Sequence, residues 1–270
     1  TASINQDGQY NDVLIVNENL IFRFAKVPDA INTLQREVAL LKQLQERITL
    51  AIPNPTFVNI EGKALEEAFI GYAMIPGIPL WRENFRKIND PAVLNTMSQQ
   101  LAGFLKELHQ TPAEEIPFPL TAEPVREKWS RMYSEFQQKL YPAMRADART
   151  SVSAHFEHFF AHLSAYAYQP KLRHGDFGTG NIIFDPVRQR IAGVVDFGDI
   201  DLGDPAEDFA GLLISYGKAF YQHGFAIYPE MESALSRAEF YIGTFALQEA
   251  LFGFDNDDED AYRAGMAQYV

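Results

Sequence analysis

Residues 174–185 read HGDFGTGNIIFD, and Asp196-Phe197-Gly198 follows eleven positions later. The carboxylate of Asp176 stands five residues before the carboxamide of Asn181, and a second carboxylate, Asp196, closes an apolar run. These groups divide into one base and two oxygen ligands for a hard cation. Asp176 is placed to orient an attacking hydroxyl and accept its proton, while Asn181 and Asp196 hold metal against the phosphates of a nucleotide, the division of roles that phosphoryl transfer requires. Magnesium keeps waters and phosphate oxygens in its shell, so one carboxylate and one amide suffice once nucleotide is bound.

The surrounding residues supply a frame for these groups. Residues 171–174 and 181–184 flank a loop containing Gly175, Gly178 and Gly180, where backbone can turn sharply and approach a phosphate. Residues 191–195 (IAGVV) are apolar and β-branched, and the turn at 186–190 makes a hairpin with the preceding strand. Asn181 and Asp196 then meet at the open end of that hairpin.

Residues 174–208, including DFGDIDLGDPAEDF, resemble the aminoglycoside phosphotransferase family, small-molecule kinases with a protein-kinase-like fold. DxxxxN or DFG alone is unspecific, but both at this spacing, with strands between them and DPxxD after them, are a specific signature. The order of parts matches along nearly the whole chain, most closely in the middle. The resemblance implies an α+β, two-lobed fold. A small antiparallel-sheet lobe would occupy residues 1–76, with a hinge at about 73–78, and a larger, mainly helical lobe residues 77–270. It also implies Mg2+, ATP or GTP as phosphate donor, and transfer to a hydroxyl of an aminoglycoside-type antibiotic, conferring resistance by modification. A kinase of a macrolide, amino alcohol or sugar, and a nucleotide-binding scaffold without catalysis, are the alternative readings.

Within the small lobe, residues 12–16 and 20–26 are β-rich, and 56–60 pairs with 68–75. Between them, Ile31, Leu34, Val38, Leu41, Leu44 and Ile48 recur three or four apart, predicting one helix over 30–48 with a single apolar stripe. Kinase-like folds carry a glutamate on this helix that pairs with a strand cation near the phosphates. Glu37 and Arg23 fill these positions, with arginine where lysine is usual and Lys26 as the fallback on the opposite strand face. Family architecture places the nucleotide base against the Ala73 C=O and Ile75 N–H, with Met74 as an apolar contact. The only material for a phosphate flap is residues 7–11, which contain one glycine.

Apolar periodicity predicts helices over 90–109, capped by Asn89 or Asp90, and over 125–143. His155, His158 and His162 lack the third ligand of a zinc site and read as a solvated helix surface. His174 is expected to brace the backbone, Asp204 to cap a helix over 206–220, and Asp208 to secure the catalytic loop as in the family. Asp199 either binds a substrate ammonium or orients the turn. By position and charge, Glu249, Asp255, Asp257 and Asp258, within an acidic run reaching Asp260, are candidates for substrate amines, with Tyr262 and Tyr269 against sugar rings.

A formal charge of −13 over 270 residues argues against non-specific nucleic-acid binding and agrees with a small cationic, hydroxylated partner. The absence of cysteine excludes disulfides and thiol nucleophiles, and no apolar stretch is long enough to cross a bilayer. A cytoplasmic monomer or weak dimer is the expectation.

Overall fold

The structure is a computed structural model that describes residues 1–5 and 10–270, apart from the Glu66 side chain. Asp7, Gly8 and Gln9 of the expected flap therefore lie outside the described residues. Alternating apolar residues build an antiparallel sheet from β1 (Ala2–Asn5), β2 (Asn11–Val16), β3 (Leu20–Ala25), β4 (Phe57–Asn59) and β5 (Phe69–Ala73), in the order β1-β2-β3-β5-β4. The β2–β3 turn uses Asn17 (φ 51°) and Glu18 (φ 56°), both left-handed, as a tight hairpin with the native strand twist requires. β1 was not anticipated, because the alternation in ASIN spans only four residues, all of them exposed.

Helix α1 (Pro28–Leu44) packs on this sheet, and Pro28 opens it where the missing N–H costs nothing. The single stripe expected of it divides in two. Leu34 and Val38 join Ala25, Ile70 and Tyr72 in the small-lobe core, whereas Leu40, Leu41 and Leu44 pack with Ile48 and Ile52 into the larger core. The helix ends at Leu44 rather than at 48, where the backbone tightens into turns closed on the Leu44 carbonyl. The chain then crosses to the other lobe, and Val194 N–H donates to Ala51 O at 3.0 Å. A Cβ on Gly193 would stand 2.3 Å from that oxygen, so only glycine permits the approach.

The larger lobe holds five short strands: β6 (Ile78–Pro79), β7 (Lys171–Arg173), β8 (Ile182–Asp185), β9 (Arg190–Val194) and β10 (Asp201–Gly203). β8 and β9 form the expected hairpin, β6 extends it, and β7 pairs with β10. Its helices are α2 (Arg82–Phe85), α3 (Pro91–His109), α4 (Val125–Glu135), α5 (Ala146–Ala161), α6 (Ala206–Tyr216), α7 (Lys218–Gln222), α8 (Glu230–Ser233), α9 (Leu235–Asp255) and α10 (Glu259–Met266). Asp90 caps α3 by accepting from Ala92 N–H at 2.8 Å. Two expected helices are interrupted. The 125–143 segment loosens into a π-turn at Phe136–Leu140 and a tight turn at Tyr141–Ala143, because Pro142 has no N–H and its ring opposes the carbonyl four residues back. The 206–220 segment breaks at Gly217, whose φ of 84° reverses the helix. No helix among the described residues is long and apolar enough to cross a membrane.

Candidate active site

The β8–β9 hairpin brings the two expected metal ligands together. Val195 N–H donates to Asn181 O at 2.9 Å, joining the residues beside each ligand across the ribbon's open end. Asp196 leaves β9 in the left-handed region (φ 65°), which turns its carboxylate out of the strand direction. The Asn181 carboxamide donates to Asp176 Oδ2 at 2.8 Å and to Asp176 O at 2.9 Å. Gly175 has φ 86°, and a Cβ there would meet Asp199 O at 2.3 Å, so the loop carrying Asp176 lies directly on the turn after Asp196.

Arg23 and Glu37 meet, as the resemblance to kinase-like folds implied. Arg23 Nη1 donates to Glu37 Oε1 at 2.6 Å and Oε2 at 2.9 Å, while Nη2 reaches Asp196 Oδ1 at 3.1 Å. Phe197 N–H also donates to Glu37 Oε1 at 3.4 Å. Both side chains are buried. Burial opposes the charge on Arg23, but Glu37 and Asp196 outweigh it and raise its pKa; burial pushes the Glu37 carboxyl up and Arg23 opposes that push. Arginine's fork lets one cation hold helix, strand and ligand together, which a point-charge ammonium does less well. Lys26 stands instead beside Asp12 at 3.5 Å.

Below the loop sits a buried anchor. Asp208 accepts from His174 N–H at 2.8 Å, Gly175 N–H at 3.0 Å and His109 Nε2 at 2.9 Å. Burial alone would raise the Asp208 carboxyl, yet the His109 hydrogen bond and charge, with His174 and Arg173 behind them, hold it below the usual range. His174 Nε2 donates to Val195 O at 3.2 Å, tying the loop to the hairpin. Asp204 accepts from Ala206 N–H at 2.9 Å at the start of α6, and also from Arg237 Nε at 2.8 Å and Tyr241 Oη at 2.9 Å. His109 escaped sequence reasoning, since at the end of the α3 apolar stripe it looks like any helix-terminal histidine.

A cavity of about 600 Å³ opens beside Asp176, lined on its polar side by Lys128, Arg173, Asp199, Asp201, Glu207 and Gln248 and on its apolar side by Ile214 and Phe245. Of the proposed substrate residues, only Asp199 lines it. Desolvation by the cleft, then the Asp176 and Asp196 carboxylates, push the Asp199 carboxyl up. The C-terminal acids lie outside this cavity. Asp255 pairs with Lys139 at 2.7 Å, and Asp258 caps α10 by accepting from Ala261 N–H at 3.0 Å. Asp257 lines a separate hollow with Phe254 and Tyr262, and Glu249 is exposed on α9 while its neighbour Gln248 reaches the cavity. Helical phase explains the last point: adjacent residues on α9 differ by about 100°, so one faces the cleft and the next faces solvent.

At the hinge, Met74 N–H donates to Asn19 O at 2.8 Å, across from the Leu20–Ala73 pair. That bond makes Leu20 and Ala73 a non-hydrogen-bonded pair, so the Ala73 N–H and C=O point away from β3. The Ile75 N–H has no protein acceptor among the described residues.

A model of the phosphotransferase enzyme family (APH) matches residues 1–241. The chain belongs to that family. It is 28% identical over 270 residues to viomycin phosphotransferase of Streptomyces vinaceus, covering 97% of this chain and 91% of the relative. In fold it is similar to an aminoglycoside 2'-phosphotransferase-IIIa solved with GDP, with a TM-score of 0.89 and 23% identity over 99% of this chain and 90% of that one. A macrolide 2'-phosphotransferase type I superposes with a TM-score of 0.79 and 17% identity over 100% of this chain and 90% of that one. The two-lobed kinase-like fold expected from the sequence is the fold observed, and the protein is a phosphotransferase with an alcohol group as acceptor.

The donor set of this phosphotransferase suits a hard cation. Asn181 uses its amide N–H groups on Asp176, which leaves its side-chain oxygen, and Asp196 engages Arg23 through one oxygen, which leaves the other. Among the described residues no group of three or more His, Asp or Glu side chains forms a metal cage. Magnesium held here would therefore share its shell with phosphate oxygens and water.

Proposed function

We propose that the enzyme transfers the γ-phosphate of ATP or GTP to a hydroxyl of a cationic, aminoglycoside-type antibiotic and so confers resistance by modification. The observation that carries this reading is the position of Asp176, which lines the cavity and is bonded to Asn181. The acceptor oxygen forms a bond to the γ-phosphorus, the bond from that phosphorus to the β–γ bridging oxygen breaks, and the hydroxyl proton passes to Asp176. The products are the phosphorylated alcohol and a nucleoside diphosphate. Bound magnesium would be held by Asn181 and Asp196 and would supply neutralisation of charge on the β- and γ-phosphates.

Arg23, fixed by Glu37, orients Asp196 and adds positive charge beside the phosphates, while the Ala73 C=O, Ile75 N–H and Met74 side chain take the base. Residues 1–76 would act as the nucleotide lobe and 77–270 as the lobe of catalysis and acceptor binding. Asp199 takes an ammonium of the acceptor. A related fold has been solved with ATP and streptomycin, which supports a nucleotide donor and a small hydroxylated partner here. A cytoplasmic enzyme acting as a monomer or weak dimer is consistent with this chemistry. The apolar wall of Ile214 and Phe245 favours, as a second reading, a partly apolar alcohol such as a macrolide.

Thermal-shift screening of aminoglycosides and macrolides with magnesium and a nonhydrolysable nucleotide selects the acceptor, because a ligand of the native state raises apparent stability. Product mass with ATP then decides. A gain of one phosphoryl group on the selected acceptor supports the proposal, and no gain on any stabilising compound refutes it.

A further inference from the structure

The cavity beside Asp176 is lined by four carboxylates, Asp176, Asp199, Asp201 and Glu207, and by two cations, Lys128 and Arg173. The cations are already committed. Lys128 Nζ donates to Glu207 Oε1 at 2.7 Å, Arg173 Nη1 to Glu207 Oε2 at 2.5 Å, and Arg173 Nη2 to Asp201 Oδ2 at 2.8 Å. They form a chain of alternating charge, Lys128–Glu207–Arg173–Asp201, along one wall. Asp176 and Asp199 have no ion-pair partner among the described residues. The surplus of two negative charges therefore resides on the wall nearest the base, one of them assigned to the reacting hydroxyl.

Resting on the proposed function of this site, we infer that Lys128 is a specificity-determining residue: among cationic alcohols the enzyme prefers those that set an ammonium near the reacting hydroxyl and turn neutral, hydrogen-bond-accepting groups toward Lys128. An acceptor with amines on every side must bring one of them against Lys128, whose side chain is more exposed (22%) than that of its partner Glu207 (13%), and like charges repel. A neutral carbonyl or ether oxygen at that wall instead meets the remaining Lys128 N–H donors. Acidic net charge, −13 for the chain, draws any cation toward the protein, but the paired wall decides how many charges the bound molecule can bring inside.

Titration calorimetry with a nonhydrolysable ATP analogue tests this, using kanamycin as a probe with several amines and erythromycin as a probe with one. Lys128→Met should tighten kanamycin binding at least about tenfold, and Lys128→Glu further, while erythromycin affinity rises by less than about threefold, or falls, in both. Kanamycin affinity that is unchanged, weakened or undetectable in both variants overturns the inference, as does an equal gain for the two probes. Phosphate transfer by the unmodified enzyme is followed separately by product mass. A failure there removes the proposed function, whereas a failure in the affinity comparison removes only the role of the charged wall.

Discussion

Asn181 donates its side-chain amide to the carboxylate of Asp176 at 2.8 Å and to its backbone oxygen at 2.9 Å. The residue assigned to the cation thus also fixes the rotamer of the residue assigned to the acceptor, and the two roles are mechanically joined. Positioning of this kind can account for a large share of a phosphoryl-transfer barrier.

Asp176→Asn should retain nucleotide affinity and lose transfer, with kcat lower by about 10²- to 10⁴-fold, the range for removal of a positioned general base. A coupled assay of ADP release and a nucleotide titration measure the two quantities side by side. Turnover near the parent rate would remove Asp176 from its role.

Arg23 makes two bonds to Glu37 and one to Asp196, so its replacements should separate charge from shape. Arg23→Met leaves Glu37 buried without its partner, and breaking such a pair costs about 3–5 kcal/mol. Arg23→Lys keeps the charge but not the fork, so stability should largely survive while the KM for ATP rises through a less well-held Asp196. Denaturant melts and steady-state kinetics of both variants check this. Equal loss of stability in both would show that geometry, not charge, holds the small lobe together.

The residues that could be read from sequence are those whose geometry is local. Asp176 and Asn181 are five residues apart on one loop, and Asp196 is tied to Asn181 by a single hairpin, so period-two alternation and turn chemistry were enough. For Glu37 and Arg23 the resemblance to kinase-like folds supplied the pairing, and helical phase showed only that Glu37 could face the sheet. The cavity beside Asp176 needed much more. Lys128, Glu207 and Gln248 come from α4, α6 and α9, and no local rule states that these helices converge. Glu207 and Asp208 are neighbours on α6, yet one lines the cavity and the other is buried under the loop, and which is which depends on how α6 packs. In the acidic run at 255–260 charge density was the only signal, and it does not say that Asp255 pairs with Lys139 or that Asp258 caps α10.

Asp199 gives a pH prediction with a definite sign. Its carboxyl is raised in the folded protein by desolvation, Asp176 and Asp196, so the native state holds the proton more tightly than the unfolded chain. Between the unfolded value near 3.9 and the raised folded value, stability therefore falls as pH increases. Asp199→Asn should be more stable than the parent at pH 7, and this difference should be lost below about pH 3, where both unfolded and folded carboxyls carry protons. Binding of a cationic acceptor should move in the opposite direction, weakening as acid neutralises Asp199. Urea melts at the two pH values decide the first part; a parent equal in stability to the variant at pH 7 would contradict it.

Asp208 is predicted to act on catalysis without touching any reactant. Its two oxygens receive three donors, His174 N–H and His109 Nε2, both buried, and the part-buried Gly175 N–H. Asparagine preserves the shape but offers one oxygen, so at least one buried donor loses its acceptor at a cost of about 1–3 kcal/mol. For a chain of this size that corresponds to a Tm lower by a few degrees, about 2–4 °C per kcal/mol. The loop carrying Asp176 loosens with it, so Asp208→Asn should reduce kcat more than it weakens nucleotide binding. The acid limb has the reverse sign to Asp199. The folded Asp208 carboxyl lies below its unfolded value, so its contribution is complete above about pH 4 and is lost as pH falls toward the folded value. Asparagine does not titrate, and the stability gap between parent and variant should narrow below about pH 4. Calorimetric melts across that range, paired with kcat at neutral pH, test both halves. A variant with parental kcat and an unchanged Tm would show that the loop is held by other contacts.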